Sequence, residues 1–493
     1  MLDTIDRIRR EAIKEVDQDK RSMLGQYMTP ASVAKFMASL FEDNNIDKPI
    51  SLLDAGAGVG SLTAAFLDRS LNGYECSKSI KVEAYDIDNT LLQYFKSNIA
   101  LYQLALQNVD AVLEVELFNV DFIVNAVERI KSNKPKVYTH AILNPPYKKI
   151  HSKSAHRLLL QSIDFGTVNL YSAFVALALM LLQEKGQLVT IIPRSFCNGK
   201  YYKSFRHFIM QSAVIKRMHL FKARDKAFKD DDVLQENIIL HLVKGGEQGN
   251  VIVSRSTDES LEDLTECCFL FEQIVKPGDP EAFIHIPHVE VNYLEQSKNI
   301  SYHLSDIELT VSTGPVVDFR AKDFLYKNPI EGSVPLLYPV HFNGKEIDWP
   351  KESKKPNAIA QNGKTQKMLF PSGFYVVVRR FSSKEEKQRI IARVINPHKL
   401  QASFIGIENH LNVFHWNKRG IPEEMAYGIA AYLNSSYVDL HFRSFNAHTQ
   451  VNAADLKQLK YPNREVLMTL GKWAKSLDTF EQNLIDFQIK QFL

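Results

Sequence analysis

The sequence predicts an α/β fold, a doubly wound Rossmann-like sheet followed by a second domain of mixed α+β character. Three observations carry that expectation. Short β-branched runs alternate with helical patterns over the first 245 residues, and such alternation produces right-handed βαβ crossovers and a mainly parallel sheet. The segments richest in chemistry follow directly after those runs, where a sheet of this kind binds its ligands. Beyond Gly245-Gly246-Glu247-Gln248-Gly249-Asn250 the pattern becomes irregular, with scattered β runs and then helices. The predicted division is therefore 1–245 and 246–493.

Strands are expected at Ile50–Asp54, Ile80–Asp86, Leu113–Phe118, His140–Leu143 and Gln187–Ile192, with helices at Ser61–Leu71, Asn89–Leu106 and Ala173–Gln183. At 493 residues the chain exceeds one ordinary core, and its 45% apolar and 24% charged content is that of a globular protein. The longest apolar stretch, Phe174–Leu182, is too short to span a bilayer and reads as a buried helix. Met1–Lys20 carries both charge signs and no apolar core, so no secretory signal is expected and the predicted location is the cytoplasm. Cys76, Cys197, Cys267 and Cys268 form no CxxC pair, which predicts neither a metal site nor a disulfide framework.

The first strand runs into Ala55-Gly56-Ala57-Gly58-Val59-Gly60. Gly56, Gly58 and Gly60 allow a sharp turn and bring backbone close to a ligand at the following helix. The acidic Asp54 ahead of them disfavours a pyrophosphate and favours a cationic amino-acid moiety, which points to S-adenosyl-L-methionine. Asp86, with Asp88 as the alternative, ends the second strand where a carboxylate meets a ribose diol. Asp121 and Phe122 suit an adenine ring, the one accepting from its amine and the other packing on its face. The fourth strand leads into Asn144-Pro145-Pro146-Tyr147. Two prolines stiffen that turn, and the Asn144 side-chain oxygen and Pro145 carbonyl form a pair of acceptors for an exocyclic amino group. Tyr147 is placed to stack on an extruded base.

These segments together resemble the gamma class of adenine-N6 DNA methyltransferases, the group of the TaqI enzyme and longer restriction-modification relatives. The resemblance implies a methyltransferase acting on double-stranded DNA, with a cognate restriction endonuclease as a partner at the same site. It assigns Gly25-Gln26-Tyr27-Met28-Thr29-Pro30 to the amino-terminal motif, with Thr29 at the methionine end of the cofactor. Asn169–Phe174 and Val189–Pro193 resemble the two motifs after the catalytic turn. By register from Pro193, Tyr202 stands where the class has a second aromatic against the flipped base, with Tyr201 adjacent.

Residues 351–400 carry a net charge of +9, whereas 251–300 carry −7. Inside the basic window Arg379, Arg380 and Phe381 follow a β run and are the predicted DNA contacts. Pairing of both arginines with Glu385 and Glu386 is the alternative. Val311–Arg320, Val378–Glu386 and Ala447–Asn452 also resemble recognition-domain segments of the larger relatives. His448, Gln450 and Asn452 are either DNA contacts or turn-stabilising residues. The Asn-Pro-Pro-Tyr turn also occurs in protein-glutamine and RNA base methyltransferases, but those tend to lack a basic carboxy-terminal half. A fused nuclease would need a domain ahead of Gly25, where the sequence leaves no room.

Overall fold

Leu52 and Leu53 are neighbours in sequence, yet they belong to two different hydrophobic cores. That is the two-residue period of a strand buried on both faces. In the computed structural model this strand is β1 (Ile50–Ala55), followed by β2 (Ser79–Tyr85), β3 (Val112–Phe118), β4 (Tyr138–Leu143) and β5 (Leu182–Pro193). All five pair in parallel. Adding β6 (Ala213–Phe221), β7 (Asn237–Lys244), β8 (Val251–Ser256) and β9 (Thr265–Phe269) gives nine strands in the order β3-β2-β1-β4-β5-β7-β6-β8-β9. β7 lies antiparallel between β5 and β6. The structure describes residues 1–15, 28–42, 48–72, 77–134, 137–151, 153–221, 236–287, 299–383, 386–446 and 449–491.

Helices cover both faces. α1 (Leu2–Glu15), α2 (Ala31–Ser39), α3 (Ser61–Asn72) and α4 (Asn89–Gln107) supply one core through Ile5, Val33, Phe66, Phe95 and Tyr102. α5 (Phe122–Lys131), α6 (Ala155–Gln161), α7 (Leu170–Leu181) and α8 (Lys203–Ser212) supply the other through Ile123, Leu160, Phe174 and Phe205. The apolar stretch at Phe174–Leu182 belongs mainly to α7, buried on nearly every side as expected for a helix without a polar face. No helix among the described residues is long and apolar enough to cross a membrane.

The chain divides into Met1–Ile286 and Pro287–Leu493. The glycine-rich turn at 245–250 is not the break: β8 follows it directly and pairs with β6, so the sheet continues through β9. Within Pro287–Leu493 a six-stranded sheet contains β10 (Thr310–Thr313), β11 (Tyr375–Arg379) and β12 (Leu411–His415), in the order β10-β12-β11. A five-stranded sheet and carboxy-terminal helices complete this unit. Gly25, Gln26 and Tyr27 of the amino-terminal motif, Cys76, Glu385 and His448 lie outside the described residues.

Three histidines are locked into the first unit uncharged. Burial pushes His219 and His241 down to about 3 and His140 to about 4, against roughly 6.5 for a free imidazole. The unfolded chain therefore binds protons that the folded chain refuses. This stability is complete above about pH 6.5 and is lost as pH falls toward 4, at roughly 1.4 kcal/mol per histidine per pH unit. Gln187 keeps its bonds to both the amide and carbonyl of Glu42 without His241. The His241→Phe variant should thus lose less melting temperature between pH 6.5 and 4.5 than the parent chain; parallel curves would refute the assignment.

Candidate active site

β1 and β4 are adjacent and parallel, and their carboxy-terminal ends release the glycine loop and the Asn-Pro-Pro-Tyr turn side by side. Helix amides and loop amides then need acceptors, and carboxylates supply them. Gly56 and Ala57 donate to the Tyr85 carbonyl (2.8 and 3.0 Å), while Gly58 donates to Asp86 Oδ2 (2.9 Å) and Asp88 to Asp86 Oδ1 (2.8 Å). Gly60 has φ +87°, and a Cβ there would lie 2.8 Å from the Phe95 ring, so only glycine fits. The loop is thereby wrapped against the tip of β2.

A cavity of about 320 Å³ opens above these strand ends. Of the residues singled out in the sequence, Thr29, Gly56, Gly58, Asp86, Asp121, Phe122 and Asn144 line it. Asp86 is buried and its carboxyl is raised, by burial first and by Asp88 in addition. Asp88 is instead the cap of α4, accepting from Thr90 (2.9 Å). Asp121 caps α5 through Oδ1, accepting from Ile123 and Val124, and receives the His156 ring on Oδ2 at 2.7 Å. Burial opposes the charge on Asp121, but the His156 bond and the amides hold its carboxyl below the usual range. The same pairing raises His156.

Other predicted residues take different places. Asp54 is wholly buried, receives the Thr63 hydroxyl (2.6 Å), and is not among the residues lining the cavity. Burial raises its carboxyl to about 7, with the charge of Asp86 adding to the effect, and its Oδ1 has no hydrogen-bond partner among the described residues. Gly60, Pro145 and Tyr147 are also absent from the wall, whereas Pro146 is on it. The Asn144 side chain is held at both ends. Its Nδ2 donates to Thr29 Oγ1 (3.0 Å), and the Tyr147 hydroxyl lies 3.1 Å from its Oδ1 and 3.2 Å from the Ile191 carbonyl. Tyr202 is 9% exposed, stacks on Tyr171 at 5.7 Å and accepts from Asn169 (2.8 Å); it sits in the core rather than on the cavity wall. Tyr201 is exposed.

The sequence reading missed Lys148, Lys149 and His156, which also line the cavity. Their only signal is position, in the stretch that follows the catalytic turn. With them the wall presents two carboxylates and two lysines around apolar surface from Leu91, Phe122 and Phe174. That mixture fits a ligand bearing both charge signs and a flat ring, as S-adenosylmethionine does. Asp86 and Asp121 would hold its adenosine, and Thr29, also on the wall, its methionine end. Among the described residues no cluster of His, Cys, Asp or Glu suits a metal ion.

In the second unit Arg379 donates to Glu386, so the internal pairing considered for it is realised with that residue. Arg380 donates to the Asn409 carbonyl (3.2 Å), while Phe381 is 45% exposed. Gln450 bridges to Phe381, and Asn452 caps the helix Ala453–Gln458.

The family described as Eco57I restriction-modification methylase matches residues 26–228. The Type II methyltransferase M.BsuBI of Bacillus subtilis is 46% identical over 496 residues, covering 100% of this chain and 98% of its own. M.PstI of Providencia stuartii is 41% identical over 497 residues, covering 99% of this chain and 96% of its own. The solved type IIG restriction endonuclease BpuSI shares the fold, with a TM-score of 0.50 at 13% identity; the match covers 98% of this chain and 65% of that one.

The two acidic residues after β2 separate by experiment. Asp86→Ala removes the acceptor at the cavity and should weaken S-adenosylmethionine binding by about 1.5–3 kcal/mol in calorimetry. Asp88→Ala removes a helix cap and should cost about 1 kcal/mol of stability with cofactor affinity preserved. The reverse pattern would exchange the roles.

Proposed function

The chain belongs to the Type II restriction-modification methyltransferases of M.BsuBI and M.PstI, and from that premise we propose that it methylates N6 of an adenine flipped out of double-stranded DNA. Its function in such a system is to mark the sequence that a cognate restriction endonuclease cuts. The observation that carries this reading is the fixed orientation of Asn144. Thr29 engages its donor end, which leaves the Oδ1 end as an acceptor, beside a turn whose two prolines cannot donate.

An exocyclic amino group has two hydrogens and a lone pair delocalised into the ring. Asn144 Oδ1 and the Pro145 carbonyl accept those hydrogens, drawing the nitrogen toward tetrahedral geometry and localising its lone pair. The second lone pair of a carbonyl oxygen lets Oδ1 serve the base while Tyr147 remains bound. Bound S-adenosylmethionine supplies the electrophilic methyl group. The methylated amine is acidic enough to release its proton to water, so the site needs no strong base. A base paired in a duplex cannot reach this turn, hence the extrusion.

Asn144→Ala should lower the methylation rate by about 100- to 1000-fold while cofactor affinity stays near that of the parent chain. A near-normal rate would remove Asn144 from the chemistry. The product discriminates further: hydrolysed DNA from a methylation reaction should contain N6-methyladenine and no N4-methylcytosine by mass spectrometry. Methylated glutamine in a protein, with DNA unmodified, would overturn the assignment.

A further inference from the structure

Three segments that the catalytic site leaves unused converge at one end of the six-stranded sheet. At the end of β10, Gly314 donates to the Leu411 carbonyl (2.8 Å), and a Cβ on it would lie 2.3 Å from the Glu408 carbonyl. Past the end of β11, Arg380 donates to the His410 carbonyl (2.9 Å) and accepts from Val451 (2.7 Å). Phe381 bridges to Gln450. The centre of this knot is the turn Glu408-Asn409-His410, just ahead of β12.

Glu408 is fully buried, and both of its oxygens are spent on one residue. Oε2 accepts from the His410 amide (2.8 Å) and Oε1 from His410 Nδ1 (2.6 Å). Taking a carboxylate out of water costs several kcal/mol, and a short turn could be capped by a smaller side chain at less cost. What the glutamate adds is control of the imidazole. A carboxylate accepts, so Nδ1 donates to it, and this bond turns the Nε2 edge of the ring outward. The His410 side chain is 44% exposed. Its ring lies 5.1 Å from that of Phe381, tilted by 37°, and Phe381 is itself 45% exposed.

We infer that Phe381 and His410, oriented by buried Glu408, form a base-reading pair. The surface offers the flat apolar face of Phe381, inside the sequence window 351–400 of net charge +9, beside an oriented imidazole edge from His410, ten residues past that window. Its complement is a flat ring with hydrogen-bonding groups on its edge and phosphate nearby. Base edges in the major groove meet that description, and an adjoining thymine methyl suits the phenyl ring. Preorganisation by Glu408 spares the pair part of the entropy of binding.

The inference rests on the proposed action on DNA, so the test measures both. Methylation of a library of single-base variants of the recognition sequence would be sequenced for the parent chain, His410→Ala, Phe381→Ala and Glu408→Gln. DNA affinity at several salt concentrations and melting temperature would be measured alongside. His410→Ala should lose roughly ten- to hundredfold discrimination at one base pair with an unchanged salt slope. Phe381→Ala should relax the same or the adjoining position, and Glu408→Gln the His410 position in part. Discrimination intact at every position would overturn the inference, whether or not melting temperature falls. A uniform loss of affinity, with the log–log salt slope shallower by about 0.9, would also overturn it by making His410 a phosphate contact. If the parent chain methylates no DNA, the proposed function fails and takes this inference with it.

Discussion

Between β1 and β4 the sheet changes the direction in which strands are added, and the first unit's site depends on that adjacency. The two strands pair in parallel at Leu52 with His140 and Leu53 with Ala141. Whatever follows each strand must therefore emerge at the same edge, in the crevice that a doubly wound sheet leaves at its switch point. On one side it is a loop whose amides are taken up by Tyr85 and Asp86. On the other it is Asn144, whose carbonyl lies against Gly56. A slip of one residue along β4 would turn its apolar side chains to the wrong faces, so the hydrophobic cores that fix the register also fix the position of Asn144.

The acidic residues around the cavity are not equivalent, although each stands just after a strand. Asp86 and Asp121 carry two duties, accepting backbone amides and facing the cavity. Those amides orient each carboxylate before any ligand arrives, which is where preorganised electrostatics gain their strength. At Asp54 burial outweighs such support. The hydroxyl and the backbone of Thr63 both bond to it, yet burial dominates and its carboxyl is raised to about 7. Its negative charge is costly near neutral pH. His156 acts on Asp121 in the opposite sense, its ring bond helping to hold that carboxyl below the usual range where the sequence had offered only a carboxylate.

Much of this architecture was legible because it is local. The β-branched runs lie within all five parallel strands, differing at their ends by a few residues, and Gly56, Asp86, Asp121 and Asn144 fall around one cavity. What escaped notice depends on distant pairing. The turn at 245–250 looks like a domain break because its composition is that of any loop; only the pairing of β8 with β6 shows that the sheet continues. Tyr202 has the spacing of a site aromatic, yet Asn169 and Tyr171, far from it in sequence, draw it into the core. His156 lies in a short helix with no periodic pattern, so nothing local distinguished it from a surface histidine. The same limit hid Glu408 and His410, whose proposed role depends on burial and on the Phe381 ring, distant in sequence.

Charge in the second unit teaches a related lesson about where specificity can reside. The four arginines of the basic window are committed internally: Arg379 to Glu386, Arg380 to Asn409, Arg389 to Ser382 and Asn446, and Arg393 to the Ala392 carbonyl. Arg389 is all but wholly buried, and burial lowers Arg393 to about 10. These guanidiniums hold the scaffold, a task suited to their planar set of donors. Lysines such as Lys354, Lys364, Lys367 and Lys387 are the exposed cations of the window. On the DNA reading proposed above, compact ammonium groups supply attraction and phosphate contacts, which position a protein without reading sequence. Discrimination must then come from side chains that are both exposed and rigidly held. On that reading the net charge of +9 over 351–400 measures attraction, while selectivity depends on the few groups, such as the imidazole of His410 just beyond that window, whose orientation is fixed by the core beneath them.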